Sequence, residues 1–300
     1  MIVSHVRAWQ PTQESWMQEH LMHEQAITLG QAIDISTWKN YGLALNSYLT
    51  LVCMHNMPVE PTANTLSLFT IYMSHHIKPN SVDTYLSGIC QQLEPYFPHI
   101  REARKSHLVH RTLQGFKRLR GLPTTRKQAL TIDDLNLVCI NYSKNPSHDD
   151  LLFCTQLCTG FFALMRLGEL TWPDDNNLRD PQKLSKRNSV IINEHFFQFF
   201  LPGHKADKFF DGNIIMLQPN PFPCNPMALF STYLQSCDCL CPWSSLLWLK
   251  ENGKVPTRSF FMRHLRLFFK KDIGRQSMRA GGAMSLAENG VAPHIIQGIG

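Results

Sequence analysis

Three short segments, in chain order, hold residue types that can handle a phosphate ester: Arg166-Leu-Gly-Glu169, Lys205 within Leu201-Pro-Gly-His-Lys-Ala-Asp-Lys208, and Gln276-Ser-Met-Arg279. A guanidinium presents paired N–H donors that match two non-bridging oxygens at once, and an ammonium can pass a proton to a leaving oxygen. Two arginines and a lysine brought together would therefore surround a phosphodiester without a metal. Taken singly, each residue has a plainer reading. Arg166 is a charge at the end of an apolar helix with Glu169 as its partner, and Lys205 is a solvated turn residue. Arg279 stands before Ala280-Gly-Gly282 at the start of a helix, where a cation opposes the helix dipole, and that placement favours a nearby anion.

The elements that must position these groups can be read from apolar spacing. Ser36 is expected to cap a helix carrying Tyr41, Leu45, Tyr48, Leu49 and Val52. Thr62 opens a second with Leu66, Phe69, Tyr72 and Met73, which Pro79 and Asn80 break before a third with Val82, Tyr85, Leu86, Ile89 and Leu93. A fourth runs from Ser106 through Leu108, Leu113 and Phe116 to Gly121. Residues 1–34 read as a tail or a loosely docked helix, residues 35–121 as a helical domain, and residues 122–130, with Pro123, Arg126 and Lys127, as a linker. A second domain spans residues 131–300. Thr131 with Asp134 and Ser147 with Asp150 have capping-box spacing, so two helices open it, the second passing Phe153, Leu157 and Phe161 to reach Arg166. Residues 189–192, 195–201 and 213–217 are rich in Val, Ile and Phe, which predicts a small three-stranded antiparallel sheet. Helical patterns resume at residues 226–235, 256–269 and after 277. The fold class is mainly α, with an α+β second domain.

No stretch reaches the roughly 18 to 20 apolar residues of a membrane span, and the first residues lack a secretory pattern, so no membrane contact is expected. The nine cysteines then read as reduced thiols in an intracellular setting. Net charge is +6, but nine basic residues face the single acid Glu102 between positions 101 and 127, leaving the rest slightly acidic. Such a concentration suits phosphate neutralisation, with Arg104, Lys105, Arg111, Lys117, Arg118, Arg120, Arg126 and Lys127 as candidate DNA contacts; a solvated helix face is the alternative. Cys237-Asp-Cys-Leu-Cys241 with Cys224 lacks the paired CxxC spacing of structural zinc, and the histidines are scattered, so no metal site is expected; His264 should face DNA or solvent. Ala287-Glu-Asn-Gly-Val-Ala-Pro-His-Ile295 has the outline of two short helices around a Gly turn.

Across residues 36–300 the chain resembles the tyrosine recombinase (phage-integrase-like) family, most closely the Crypton-type recombinases of fungal and other eukaryotic mobile elements. The resemblance rests on Thr65-Leu-Ser-Leu-Phe69, Ser81-Val-Asp-Thr-Tyr-Leu-Ser-Gly88, Arg126-Lys-Gln-Ala-Leu130 and, most specifically, Gly160-Phe-Phe-Ala-Leu-Met-Arg-Leu-Gly-Glu-Leu170. It implies a helical core-binding domain followed by a catalytic fold, closing on double-stranded DNA, with several copies assembled on paired sites. It implies no cofactor, and a nuclear location for a eukaryotic source. By the same resemblance Arg166 and Arg279 hold the phosphate, Lys205 is the general acid and Glu169 supports Arg166. Gln276 stands where the family has histidine; it can hydrogen-bond a phosphate but cannot shuttle a proton. The family's tyrosine nucleophile would follow Gly300, whereas all seven tyrosines precede Arg279. The expectation is thus a C-terminally incomplete, cleavage-inactive DNA-binding protein. A helical regulator or interaction module that does not use the recombinase site is the other reading.

Overall fold

The computed structural model describes residues 15–121, 127–203 and 211–299, and the chain divides into two units, Met1–Thr124 and Thr125–Gly300. In the first unit α1 spans Gln18–Gln31, α2 Ile35–Met54, α3 Ala63–Met73, α4 Pro79–Leu93, α5 Ile100–Lys105 and α6 His107–Arg120. Tyr48, Leu66, Phe69, Val82, Leu86 and Ile89 are fully buried where α2 packs on α4 and α3 on α6. Tyr48 meets Phe69 edge-on at 5.8 Å, and its hydroxyl reaches the Val59 carbonyl at 3.2 Å, so its polar tip is satisfied inside the core.

Local chemistry shifts several expected boundaries. The cap of α2 is Asp34, whose carboxylate accepts from the Ser36 N–H at 3.0 Å, so the cap lies two residues before the expected Ser36. Pro79 is the first residue of α4 and not a break outside it, because a missing N–H costs nothing in a first turn. Thr62 and Ser106 cap α3 and α6 as expected.

The second unit contains α7 (Ile132–Asn141), α8 (His148–Phe162), α9 (Leu167–Leu170), β1 (Ile191–Ile192), β2 (Phe197–Leu201) and β3 (Asn213–Leu217). It continues through α10 (Pro226–Leu240), α11 (Arg258–Phe268), α12 (Ser277–Glu288) and α13 (Pro293–Ile299). Both capping boxes form, with Thr131 and Asp134 on α7 and Ser147 and Asp150 on α8. Helix α8 is the axis of this unit: every residue from Leu152 to Phe161 is buried, and α10, α11 and α12 all pack on it. A helix buried all round fixes whatever its C-terminus carries.

The sheet is antiparallel in the order β1-β2-β3, with β2 and β3 paired from Phe197 against Leu217 to Leu201 against Asn213. Phe197 and Phe199 turn inward and stack on Phe230 of α10, at 4.1 and 6.2 Å between ring centroids. The end of the expected linker belongs to the second unit. Gln128 bridges to Ile273, Leu130 is buried, and the Leu130 N–H donates to the Ser277 carbonyl.

Candidate functional site

Arg166 is delivered by the way α8 ends. Its last turn closes with Met165 N–H on the Gly160 carbonyl at 2.9 Å and Leu164 N–H on Phe161, the paired bonds of a Schellman motif. The pivotal position, usually glycine, is Leu164, held at φ 52° with its side chain buried. A left-handed leucine costs about 1–2 kcal/mol, offset here by burial of a whole aliphatic side chain at roughly 1.5–3 kcal/mol. The turn sends Arg166 out as the residue before α9. Glu169, nearly buried, then reaches back and accepts the Arg166 backbone N–H at 2.7 Å and its Nη1 at 3.2 Å. One carboxylate thus fixes both the start of α9 and the direction of the guanidinium.

Arg279 comes from the first turn of α12, which lies on the end of α8 with almost no side chain between them. A Cβ on Gly281 would stand 2.0 Å from the Leu130 carbonyl oxygen, and one on Gly282 would stand 2.0 Å from that of Phe161. On the facing helix, Gly160 leaves the room that Met278 fills. This backbone contact sets Arg279 beside Arg166. Burial first, and then the Arg166 charge, pull the Arg279 guanidinium below the usual arginine range, against an opposing pull from Glu169. Among the described residues, Arg279 has no hydrogen bond or ion pair.

The two arginines, with Glu169, line a cleft of about 240 Å³. Its second wall is Leu201, Asn213 and Ile215, at the loop end of the β2–β3 hairpin, and its third is Gln297, Gly298 and Ile299 of α13. Lys205, in the segment joining β2 to β3, lies outside the described residues, as does Arg126. Gln276 is the exposed N-cap of α12, makes no capping bond and does not line the cleft. The structure therefore brings Arg166, Glu169 and Arg279 to one cleft, whose lining does not include Gln276. Asn213 and Gln297 are cleft residues that the sequence reading missed, because only tertiary structure brings β3 and α13 to the arginines.

The basic segment sorts by pairing. Arg104 is committed to Asp83, with Nη2 3.2 Å from the carboxylate, and Arg101 outside the candidate set is held by Glu94. On α6, Val109, Leu113 and Phe116 face the core, while Arg111, Lys117, Arg118 and Arg120 are exposed, as is Lys105 just before it. Lys127 lies over Gly274 and donates to the Lys271 carbonyl. A second basic stretch holds nine Lys and Arg against two acids between positions 250 and 279. Part of it is structural, since Arg266 donates to the Lys270 and Ile273 carbonyls, whereas Arg263, Lys270, Lys271 and Arg275 are exposed.

His264 corrects an expectation. It does not face outward but packs on Phe153 and Phe260, 3.9 Å from the Asp150 carboxylate. Among the described residues no group of His, Cys, Asp and Glu stands close enough to hold a metal ion, and no helix is long and apolar enough to cross a membrane.

The fold is that of the tyrosine recombinases. Solved structures that share it include the XerH site-specific recombinase bound to its difH substrate, at 16% identity and TM-score 0.59, covering 86% of this chain and 71% of that one. A lambda integrase dimer bound to a COC' core site gives 14% identity and TM-score 0.56, covering 94% of this chain and 90% of that one. The Tn1549 transposon integrase in complex with transposon right end DNA gives 14% and 0.57 over the same shares. No family model and no curated protein matches the sequence.

Proposed function

We propose that this chain is a DNA-binding protein derived from a tyrosine recombinase, holding a backbone phosphate of double-stranded DNA between Arg166 and Arg279. The observation that carries the reading is Arg279, partly buried, unpaired among the described residues and beside a second guanidinium. A cation so placed is raised in free energy until an anion arrives, and the paired donors of two guanidiniums suit a phosphodiester. A fold shared with chains solved on DNA supports nucleic acid as the source of that anion, and the exposed basic face of α6 adds phosphate contacts.

The finer parts of the proposal rest on separate supports. The sequence resemblance over residues 36–300 favours a Crypton-type origin. Neighbours solved as a dimer on a core site and as a tetramer on a Holliday junction favour assembly of several copies on DNA. None of the seven tyrosines lines the cleft, and Tyr48 and Tyr233 are fully buried, which favours binding without strand cleavage by residues 1–300. A nicked suicide substrate tests both parts, read for covalent adducts and, in parallel, for binding across a salt series. Salt-sensitive binding without adduct is expected. An adduct would overturn the inactivity, and binding indifferent to salt would overturn the phosphate reading.

A further inference from the structure

We infer that Asn213 and Gln297 supply the neutral hydrogen bonds to the anion held by Arg166 and Arg279, a role the sequence suggested for Gln276. The inference rests on the phosphate-binding reading above and adds to it two binding residues. Both line the cleft, both are exposed to it, and among the described residues neither side chain has a hydrogen-bond partner. A side-chain amide carries two N–H donors without a charge. That matters because the cleft already holds two guanidiniums close enough to depress one of them, so a third cation beside them would add repulsion where a neutral donor does not.

The placement of both amides is built into the fold. Asn213 is held opposite Leu201 by the last rung of the β2–β3 ladder. Gln297 is returned to the cleft by a second Schellman turn, in which Gly290 N–H donates to Ala287 and Val291 N–H to Leu286, with Gly290 at φ 80°. The two helix ends that frame the cleft, after α8 and after α12, thus use the same turn. Gln276 has no such support, being an exposed N-cap outside the cleft.

The test uses the full chain and a minimal phosphodiester, thymidylyl-thymidine, followed by NMR through the arginine Nε–H and the Asn and Gln side-chain NH2 signals. Shifts at Arg166, Arg279, Asn213 and Gln297 together are expected. Gln297→Ala and Asn213→Ala should each weaken binding about three- to tenfold, as for loss of one neutral hydrogen bond, and Gln297→Glu should weaken it further by like-charge repulsion with the phosphate. Arginine shifts with unmoved Asn213 and Gln297 signals and unchanged affinity in both alanine variants would overturn the inference and leave the phosphate reading standing. The inference also fails if Gln276→Ala weakens binding and Gln297→Ala does not. Silent arginine signals would sink the phosphate reading itself. The same spectra report whether each variant is folded.

Discussion

Arg166 and Arg279 share one cleft but stand in opposite energetic positions. Arg166 is paired twice over by Glu169, through backbone and side chain, so Glu169→Ala strands a partly buried N–H and should lower unfolding stability by about 1–3 kcal/mol, read from denaturant midpoints. Arg279 is unpaired among the described residues and repelled by its neighbour, so Arg279→Met should do the reverse: raise the stability of the free protein by about 0.5–1 kcal/mol while weakening DNA binding. A fall in both quantities would show that Arg279 has a structural partner and is not held ready for an anion. The cysteines separate as clearly. Cys53 and Cys239 are exposed and Cys241 partly so, whereas Cys90, Cys139, Cys154, Cys158, Cys224 and Cys237 are buried, and burial pushes the Cys158 and Cys224 thiols up. Cys139 and Cys158 lie 3.7 Å apart inside the core. A thiol reagent should label Cys53 and Cys239 quickly, Cys241 more slowly and the other six only in denaturant; fast labelling at Cys158 would contradict the packing of α8.

Among the elements, the contact between α8 and α12 decides whether the two arginines meet. Gly282→Ala should gain up to about 1 kcal/mol of helix propensity but force a Cβ into the Phe161 carbonyl, an overpacking cost of about 1–3 kcal/mol. The clash wins, so the second unit should melt earlier and bind DNA less well. Gly115, inside α6 with nothing within 4 Å of its would-be Cβ, is the control: Gly115→Ala should stabilise the first unit by about 0.5–1 kcal/mol. A neutral or stabilising Gly282→Ala would mean that α12 is not held against α8 as described. The same elements show what a sequence can disclose. Caps were legible wherever side chain and backbone are neighbours in sequence, as at Thr62, Thr131 and Ser147, and so was the strand pattern of the Phe-rich hairpin. Helix α5 is not legible in the sequence because its six residues offer one buried apolar side chain, Ile100, among charges. Arg166 and Arg279 could be paired through their order along the chain, yet the glycines that let them meet act against residues more than a hundred positions away.

For the whole molecule, the charge pattern decides more than the net charge does. Both basic stretches, at 101–127 and 250–279, contain residues already spent inside the protein: Arg104 on Asp83, Arg101 on Glu94, Arg266 on backbone carbonyls. A paired cation releases few counterions when DNA arrives, so counting Lys and Arg overstates the phosphate contacts. The free ones can be separated by experiment, because each phosphate neutralised on duplex DNA contributes about 0.9 to the slope of log K against log salt. Replacing Arg111, Lys117 and Arg118 with glutamine removes three exposed charges from α6 without touching Val109, Leu113 or Phe116. If all three meet phosphates, the slope should fall by about 2 to 3, with the melting temperature nearly unchanged. Arg104→Gln should behave oppositely, lowering the stability of the first unit while moving the slope by less than about 1, since its charge is engaged with Asp83 before DNA binds. Two patterns would refute this division of labour. One is an unchanged slope in the triple variant, which would make the α6 face an ordinary solvated surface; the other is a larger slope change from Arg104 alone than from the three exposed residues together.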